Sequence, residues 1–477
     1  MNNLLKIRLA MFAAMFALTG ALSANADDAP AAPGVKVPAH QRFVLPNGLT
    51  IILVPKKDVP LIAFSGFVRG GALLDPPDKV GVASLVAGLL ERGAGKRSAY
   101  EFADAASGVG GSFNASAGAE AISVSGQFLA RDRALMIELL ADALIRPHFD
   151  ADEFSSYRDR DIEFIKSAKD SDPSQLLSIY GRAALFGTHP YGRPQGGSER
   201  TLAELTQGDV VTYHAQNFGA DRTTLVFAGD LDAKWMKQAL TAAFGGWAKA
   251  SSTPVLLAPA PRISGRRVLL VDSPGAVQTY FWLGNVGVDR HYSGRPALDL
   301  VNTLYGGRFT SILNTELRIK SGLSYGANSS FTRGSVPGEF SIRSFTQTVN
   351  TGKALDLALA TLETLKHGSL APEMIDSARA YVLGQYPLRL ETAANWATAL
   401  ADLEFYGLDK SYIEDYGPAL AKVDLAETAA VTADAFPRPV DLVMVLIGDA
   451  AQIRETAAKY GAVTEIKLAQ PDFAPSN

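Results

Sequence analysis

The segment GVASLVAGLLERGAGKRSAYEF, from Gly81 to Phe102, has the apolar spacing of a helix that is buried in a protein core. Apolar residues recur at steps of three and four along its first half, and alanine and glycine fill the positions between them. The centre of this helix reads SLVAG, from Ser84 to Gly88. The segment therefore predicts a packed helix that presents almost no side chain capable of chemistry.

The chain as a whole has the composition of a folded protein with more than one domain. It has 477 residues, of which 47% are hydrophobic and 20% are charged, and its formal net charge is −4. This length favours two or more domains. This weakly acidic net charge does not indicate nucleic-acid binding. Because the chain contains no cysteine, a lipid-modified N-terminal cysteine and structural disulfides are both excluded.

The first 26 residues have the three parts of a secretory signal peptide. Lys6 and Arg8 form a basic start, residues 9–22 form an apolar stretch, and a small-residue cleavage site follows. The apolar stretch is short for a membrane span, so we expect cleavage after Ala26. Residues 27–39 are rich in proline and alanine, which predicts a disordered leader. We expect a periplasmic protein that has no membrane attachment after cleavage.

Strand and helix patterns then occur twice in the same order. RFVLPNGLTIILV predicts a hairpin with its turn at Pro46-Asn47-Gly48, and SFNASAGAEAISVSGQF predicts a second pair of strands. Helical patterns follow in residues 130–145 and 150–170 of the first half, and in residues 351–368 and 371–386 of the second half. Matching landmarks in the two halves lie 220 residues apart: Ala134-Leu135 against Ala354-Leu355, and Glu153-Phe154 against Glu373-Met374. This constant offset indicates an internal duplication.

The repeated order predicts an α+β fold of two homologous halves, each with helices packed on a mainly antiparallel sheet. We place the N-terminal half at residues 40–248 and the C-terminal half at residues 268–470. Residues 249–267 between them are rich in proline, serine and alanine, which is typical of a linker. We expect this linker to act as a hinge.

The sequence gives no sign of a self-contained catalytic site. Two histidines at helical spacing would indicate a zinc site, but no two of the six histidines are that close in sequence. A site assembled from distant histidines remains open. GLSYG, from Gly322 to Gly326, matches a serine-hydrolase motif, which requires a strand before the serine and a helix after it. Here a helical pattern, FTSILNTELRIK, comes first and a strand pattern follows, which argues against that reading.

Several segments together resemble the M16 family of zinc metallopeptidases, which includes pitrilysin and the mitochondrial processing peptidase. The segments are LPNGLTI, GGSFNAS, LFGTHPYGRP and LYGGRFTSILNTELRIKSGLSY, and the resemblance extends over about residues 40 to 465. Active members carry His-x-x-Glu-His on the opening helix, where the histidines bind zinc and the glutamate polarises water. The resemblance implies a clamshell-type M16 fold for this chain.

The resemblance places Ser84 and Gly88 at the two histidine positions and Ala87 at the glutamate position. Glu163 lies near the position of the third ligand in the family, although a solvated carboxylate on a helix is an alternative interpretation. Serine is a poor zinc ligand, and alanine and glycine have no ligand atom in their side chains. We therefore expect no metal in this chain and no peptide hydrolysis by the chain alone.

The second half retains residues that the resemblance links to substrate binding. Some bacterial M16 heterodimers have one chain with zinc and another with an Arg/Tyr pair, and here Arg318 and Tyr325 have the spacing of that pair. The alternative is an arginine that complements a helix dipole and a tyrosine in the core. Asn114 and Ala115 match a segment that contacts extended peptide by β-augmentation, or they belong to a plain edge strand.

The sequence thus predicts the non-catalytic, substrate-binding subunit of a heterodimeric periplasmic zinc metallopeptidase. A homologous partner chain with His-x-x-Glu-His would hold the zinc, and this chain would complete the chamber in which peptides are cleaved. The alternative is a metal-free peptide-binding or scaffold protein that has no peptidase partner.

Overall fold

The computed structural model describes residues 34–368 and 370–474. The expected signal peptide, residues 1–26, and the first part of the expected leader, residues 27–33, lie outside the described residues. Residues 34–40 lead to the first strand without forming a helix or strand.

Within the described residues, twelve strands form two sheets of six strands each. Their bounds are β1 (Gln41–Val44), β2 (Thr50–Pro55), β3 (Leu61–Arg69), β4 (Ser112–Ala117), β5 (Ala121–Leu129), β6 (Thr223–Gly229), β7 (Arg267–Asp272), β8 (Gln278–Val286), β9 (Ala327–Arg333), β10 (Pro337–Gln347), β11 (Val443–Gly448) and β12 (Ala462–Lys467).

Helices cover these sheets. The α-helices are α1 (Val82–Leu89), α2 (Ala99–Ser107), α3 (Arg133–Ile145), α4 (Ala151–Ser171), α5 (Leu177–Phe186), α6 (Glu199–Glu204), α7 (Gln207–Asn217), α8 (Ala233–Phe244), α9 (Arg295–Asn302), α10 (Ile312–Asn314), α11 (Thr351–His367), α12 (Pro372–Gln385), α13 (Ala393–Tyr406), α14 (Ser411–Glu414), α15 (Tyr416–Lys422), α16 (Leu425–Ala435) and α17 (Ala450–Ala458). Two π-helical segments lie at Thr303–Gly307 and Thr315–Lys320. In the part of the chain that the structure describes, no helix is long and apolar enough to cross a membrane.

The two sheets have the same strand order, which confirms the predicted α+β fold of two homologous halves. The first sheet runs β1-β2-β6-β3-β5-β4 and the second runs β12-β7-β11-β8-β10-β9. Five positions correspond strand for strand, and most neighbours are antiparallel. The sixth position differs because β1 precedes its half and pairs antiparallel with β2, whereas β12 ends its half and pairs parallel with β7.

The opening hairpin forms where its turn residues predict it. Gly48 has a φ of 99°, which glycine adopts without strain, and its N–H donates to the Leu45 carbonyl at 2.8 Å. The Asn47 amide donates to the Phe244 carbonyl at 2.8 Å and to the Trp247 carbonyl at 3.0 Å. The turn therefore also fixes the end of α8 against the sheet.

One helix of each half packs on the sheet of the other half. Helix α5 of the first half packs on β8 and β11, and α13 of the second half packs on β3 and β6. Gly181 of α5 allows this approach because a Cβ there would lie 2.6 Å from the Trp282 ring on β8. On the other side, Trp396 and Leu400 of α13 are buried with strand residues of the first sheet.

This exchange of helices argues against a hinge at residues 249–267, which stays a prediction. Opening at the linker would pull α5 and α13 away from their sheets and expose two apolar interfaces to water, which is unfavourable. The linker itself runs without helix or strand up to β7, and its Ile263 N–H donates to the Asn285 side chain at 2.9 Å. The two halves therefore form one body.

Candidate functional site

Helix α1 places the residues of the altered zinc motif in the core of the first half. Its N-terminus is held by the buried Asp75, whose carboxylate accepts the Gly81 N–H at 2.7 Å and the Ala83 N–H at 3.0 Å. Burial raises the pKa of Asp75 to about 7, although both N–H groups oppose this shift. Ala87 and Gly88 are buried and Ser84 is partly exposed. The helix thus forms with no ligand side chain on it.

Tyr157 of α4 fills the space beside Gly88. A Cβ at position 88 would overlap the phenol ring of Tyr157, so no larger residue fits there without displacing the ring. The ring is also flanked by two guanidinium groups, since Arg160 lies 4.2 Å and Arg92 lies 5.1 Å from its centre. Burial, followed by the nearby Asp161 carboxylate, raises the pKa of Tyr157. An aromatic and cationic cluster therefore occupies the space where a ligand at position 88 would reach.

The residues around α1 do not fit zinc. Glu163, the nearest match to the third ligand, is exposed and pairs with Lys166 at 2.7 Å, as a solvated helix carboxylate does. Two arginines beside the site would repel a divalent cation. Among residues 34–368 and 370–474, no group of three or more His, Cys, Asp or Glu side chains could hold a metal ion.

Arg318 and Tyr325 lie side by side in the second half. The Arg318 guanidinium lies 4.3 Å from the centre of the Tyr325 ring and 4.8 Å from that of Phe309. Gly322, with a φ of 64°, makes the turn that brings the pair together. Tyr325 is 74% exposed, so the alternative of a core tyrosine is wrong. Arg318 is in the last turn of its segment, where it also complements the helix dipole.

The segment that carries Arg318 differs from the single helix predicted for FTSILNTELRIK. It consists of the short α10 followed by π-helical turns, in which the Ser321 N–H donates five residues back to the Glu316 carbonyl at 3.2 Å. A π-turn rotates the side chains that follow it relative to an α-helix, and such turns are frequent at functional sites. The widened turns set the direction in which Arg318 leaves the helix.

GLSYG does not form a nucleophile site. Ser324 is buried, and its hydroxyl donates to the Gly326 carbonyl at 2.9 Å. The segment lies after the π-helical turns and before β9, the reverse of the order that exposes a nucleophilic serine.

The Arg318 side chain opens into a cleft of about 690 Å³ between the second sheet and the start of α5. Two further arginines, Arg308 and Arg343, line this cleft. Sequence reasoning missed both. Arg308 follows the Gly306-Gly307 pair, and Arg343 lies in β10, whose sequence PGEFSIRSFTQ mixes polar and apolar residues, so neither position carried a local signal.

Asn114 and Ala115 lie on β4, which is the edge strand of the first sheet. Asn114 is exposed and Ala115 is half-buried. One side of β4 pairs with β5, while its other side has no neighbouring strand among the described residues. This arrangement suits both the edge-strand and the β-augmentation interpretations. No hydrogen bond or ring contact within the described residues joins Asn114 or Ala115 to the Arg318–Tyr325 pair.

Solved structures with similar folds come from bacteria. A peptidase M16 inactive domain from Pseudomonas fluorescens superposes with a TM-score of 0.80 at 23% identity, covering 86% of this chain and 98% of that one. A protease from Helicobacter pylori gives a TM-score of 0.78 at 21% identity, with coverages of 86% and 99%. These likenesses show the fold.

Curated relatives include proteins described as uncharacterized zinc proteases. One from Mycobacterium bovis is 27% identical over 84% of this chain and 92% of its own length. Another from Streptomyces coelicolor is 26% identical, over 83% and 87% respectively.

Two family models match consecutive parts of the chain. The model for insulinase (peptidase family M16) matches residues 58–197, and the model for the peptidase M16 inactive domain matches residues 204–382. Together they span about two thirds of the chain, in the order of its two halves, and the chain belongs to the M16 peptidase family.

Proposed function

We propose that this chain is the non-catalytic, substrate-binding subunit of a heterodimeric zinc metallopeptidase in the periplasm. The observation that carries this proposal is the contrast between the halves: the zinc-motif helix is buried without ligands, whereas the half-buried Arg318 lines an open cleft and contacts the exposed Tyr325 ring. The partner would be a homologous chain with His-x-x-Glu-His, and the zinc would be bound there. The secretory pattern of residues 1–26 supports the location.

The stacked pair suits the recognition of a peptide backbone. The Arg318 guanidinium contacts the Tyr325 ring, and its side chain has no hydrogen-bond acceptor among the described residues, so its N–H groups stay available. The Tyr325 hydroxyl adds a second donor at the exposed end of the ring. A carbonyl or carboxylate of a peptide can accept from both groups, with a net gain of about 1.5–3 kcal/mol for a charge-assisted bond. The edge strand β4, with Asn114 and Ala115, could align further peptide residues.

The proposal is tested by measuring cleavage of fluorogenic peptides by each chain alone and by their mixture, with and without a zinc chelator. The partner to use is a homologous chain with His-x-x-Glu-His encoded in a neighbouring reading frame. We expect cleavage by the mixture only, and its loss with chelator. Zinc-dependent cleavage by this chain alone would overturn the proposal. Peptide binding without any cleavage by the mixture would favour the scaffold alternative.

Arg318→Ala and Tyr325→Phe test the pair itself within the mixed complex. Each variant should lower kcat/KM by about tenfold or more, because one donor to the substrate is lost. Size-exclusion chromatography should show unchanged assembly. Arg131→Ala is a suitable control, since Arg131 is an exposed arginine outside the cleft that pairs only with its neighbour Asp132. Wild-type kinetics in both Arg318→Ala and Tyr325→Phe would show that the pair does not take part in substrate binding.

A further inference from the structure

The cleft beside Tyr325 concentrates positive charge in a chain that is acidic overall. Arg308, Arg318 and Arg343 line it from three different elements, and no Asp or Glu is among its lining residues. The chain as a whole has 49 acidic against 45 basic residues. The positive cleft is therefore a local arrangement that overall composition does not explain.

These three arginines keep unused hydrogen-bond donors. Arg308 donates through Nη1 to the carbonyl and the hydroxyl of Ser377, both at 3.1 Å, and Arg343 donates through Nη1 to the Ser178 hydroxyl at 3.1 Å. All these acceptors are neutral. Within the described residues, none of the three guanidinium groups forms an ion pair, and the Nε atoms of Arg308 and Arg343 are buried without an acceptor. Like charges held together in this way favour the binding of an anion.

Aromatic side chains form part of the cleft wall. Phe309, which is 60% exposed, contacts Arg318, and the Arg308 guanidinium lies 5.9 Å from the Tyr381 ring centre. Tyr280 and Phe345 lie 5.8 Å apart on neighbouring strands and line the same space. A guanidinium matches the two oxygens of a carboxylate in geometry.

We propose that this cleft binds a carboxylate of the peptide substrate through Arg308 and Arg343, next to the Arg318–Tyr325 pair. The carboxylate is either the C-terminus of the peptide or a Glu or Asp side chain. Peptides that carry such a group are selected over neutral ones. The choice of a peptide as the ligand rests on the proposed function.

The experiment measures fluorescence anisotropy of labelled short peptides with the purified chain alone. One peptide sequence is made in four forms, with Glu or Gln at one position and with a free or an amidated C-terminus. We expect a form with a carboxylate to bind about tenfold or more tighter than the neutral form, and added salt to reduce the difference. If the free C-terminus tightens binding, the cleft binds the C-terminal carboxylate; if Glu tightens binding, it binds the side-chain carboxylate. Equal affinity of all four forms would overturn the proposal, as would equally tight binding of a single-stranded oligonucleotide.

Arg308→Gln and Arg343→Gln should each remove most of the preference for the carboxylate, whereas Arg131→Gln should keep it. Arg308→Lys retains the charge without the two-pronged geometry and should give an intermediate preference. Thermal unfolding checks that each variant is folded; if Arg343→Gln is not, Arg308→Gln decides the result. Full preference in folded Arg308→Gln would refute the role of this cleft.

The same variants separate this inference from the proposed function. If the mixture with the partner cleaves peptides and loses activity with Arg318→Ala, but no carboxylate preference exists, only the inference fails. If the chain prefers carboxylates but no mixture shows cleavage, the proposed function fails and the cleft remains a carboxylate site. In an active mixture, Arg308→Gln should raise KM for the carboxylate peptide more than it raises KM for the neutral peptide.

Discussion

At the scale of single residues, the surroundings of Gly88 leave no room for the histidine that the family resemblance places at this position. Tyr157 of α4 fills the space beside Gly88, and Arg92 and Arg160 flank the ring. Restoring histidine at position 88 alone would force this ring out of its place. The altered motif and the tyrosine therefore depend on each other.

The first prediction concerns Gly88→Ala. Because the new Cβ would overlap the end of the Tyr157 ring, the substitution should lower the free energy of unfolding by about 1 kcal/mol, the low end of the cost of overpacking, since the half-buried ring can move and alanine favours the helix. Urea denaturation followed by circular dichroism measures this change. Combining Gly88→Ala with Tyr157→Ala should cost less than the sum of the two single substitutions, since the overlap is removed.

Gly384→Ala is the matched control for Gly88→Ala. Gly384 also lies inside a helix, α12, but a Cβ there would meet no atom within 4 Å. Alanine is the better helix former, so this variant should be as stable as the wild type or gain about 0.5–1 kcal/mol. Equal effects of the two substitutions would show that Tyr157 does not pack where the structure places it.

Sequence reasoning at this scale succeeded where the relevant partners are close along the chain. Arg318 and Tyr325 are seven positions apart on either side of a glycine turn, and this spacing together with the family resemblance predicted the pair. Tyr157 was missed because its contact with Gly88 joins two helices that are far apart in sequence. Pairings of this kind leave no local pattern.

At the scale of elements, local turn chemistry predicted the hairpins, and tertiary packing decided the rest. Pro46-Asn47-Gly48 specifies the first turn by itself. The π-helical turns before Arg318 have no such signal: FTSILNTELRIK fits an ordinary helix, and Asn314, whose side chain accepts the Ala327 N–H of β9 at 3.1 Å, ties it to the sheet. The packing of α5 and α13 on the sheets of the opposite halves could not be predicted either, because a helical pattern does not indicate which sheet the apolar face of the helix covers.

The second prediction concerns the junction of helices α3 and α7, where His214 bonds to the Leu144 carbonyl at 3.0 Å. Burial lowers the pKa of His214 to about 4. Below about pH 6.5 the unfolded chain therefore takes up a proton that the folded chain binds only near pH 4. The free energy of unfolding should fall over this range as pH is lowered, by about 2–3 kcal/mol from this group.

Urea denaturation at several pH values between 7 and 4 tests this prediction in His214→Gln, which keeps a hydrogen-bond donor but does not titrate. The variant should lose less stability than the wild type as pH falls. His367→Gln is the control, because His367 is exposed at the end of α11. If His214→Gln followed the wild-type pH dependence, the imidazole would not be buried as described.

At the scale of the whole molecule, the exchange of helices packs the two halves into one unit. Helix α5 covers part of the second sheet and α13 covers part of the first, so the apolar core is continuous between the halves. In the proposed heterodimer, opening of the chamber would therefore occur between the two chains and not within this one. We therefore expect the linker to serve as a connection and not as a hinge.

The third prediction follows from this view of the linker. A site for a specific protease inserted beside Leu256, which is 94% exposed, allows the linker to be cut in the folded protein. The two fragments should elute together in size-exclusion chromatography, and the cut protein should unfold in a single urea transition. Leu400→Ala, which removes buried contacts of α13 with the first sheet, should lower stability by about 2–5 kcal/mol and let the cut fragments separate at lower urea. Separation of the fragments without denaturant would mean that the halves move independently and would restore the linker as a hinge.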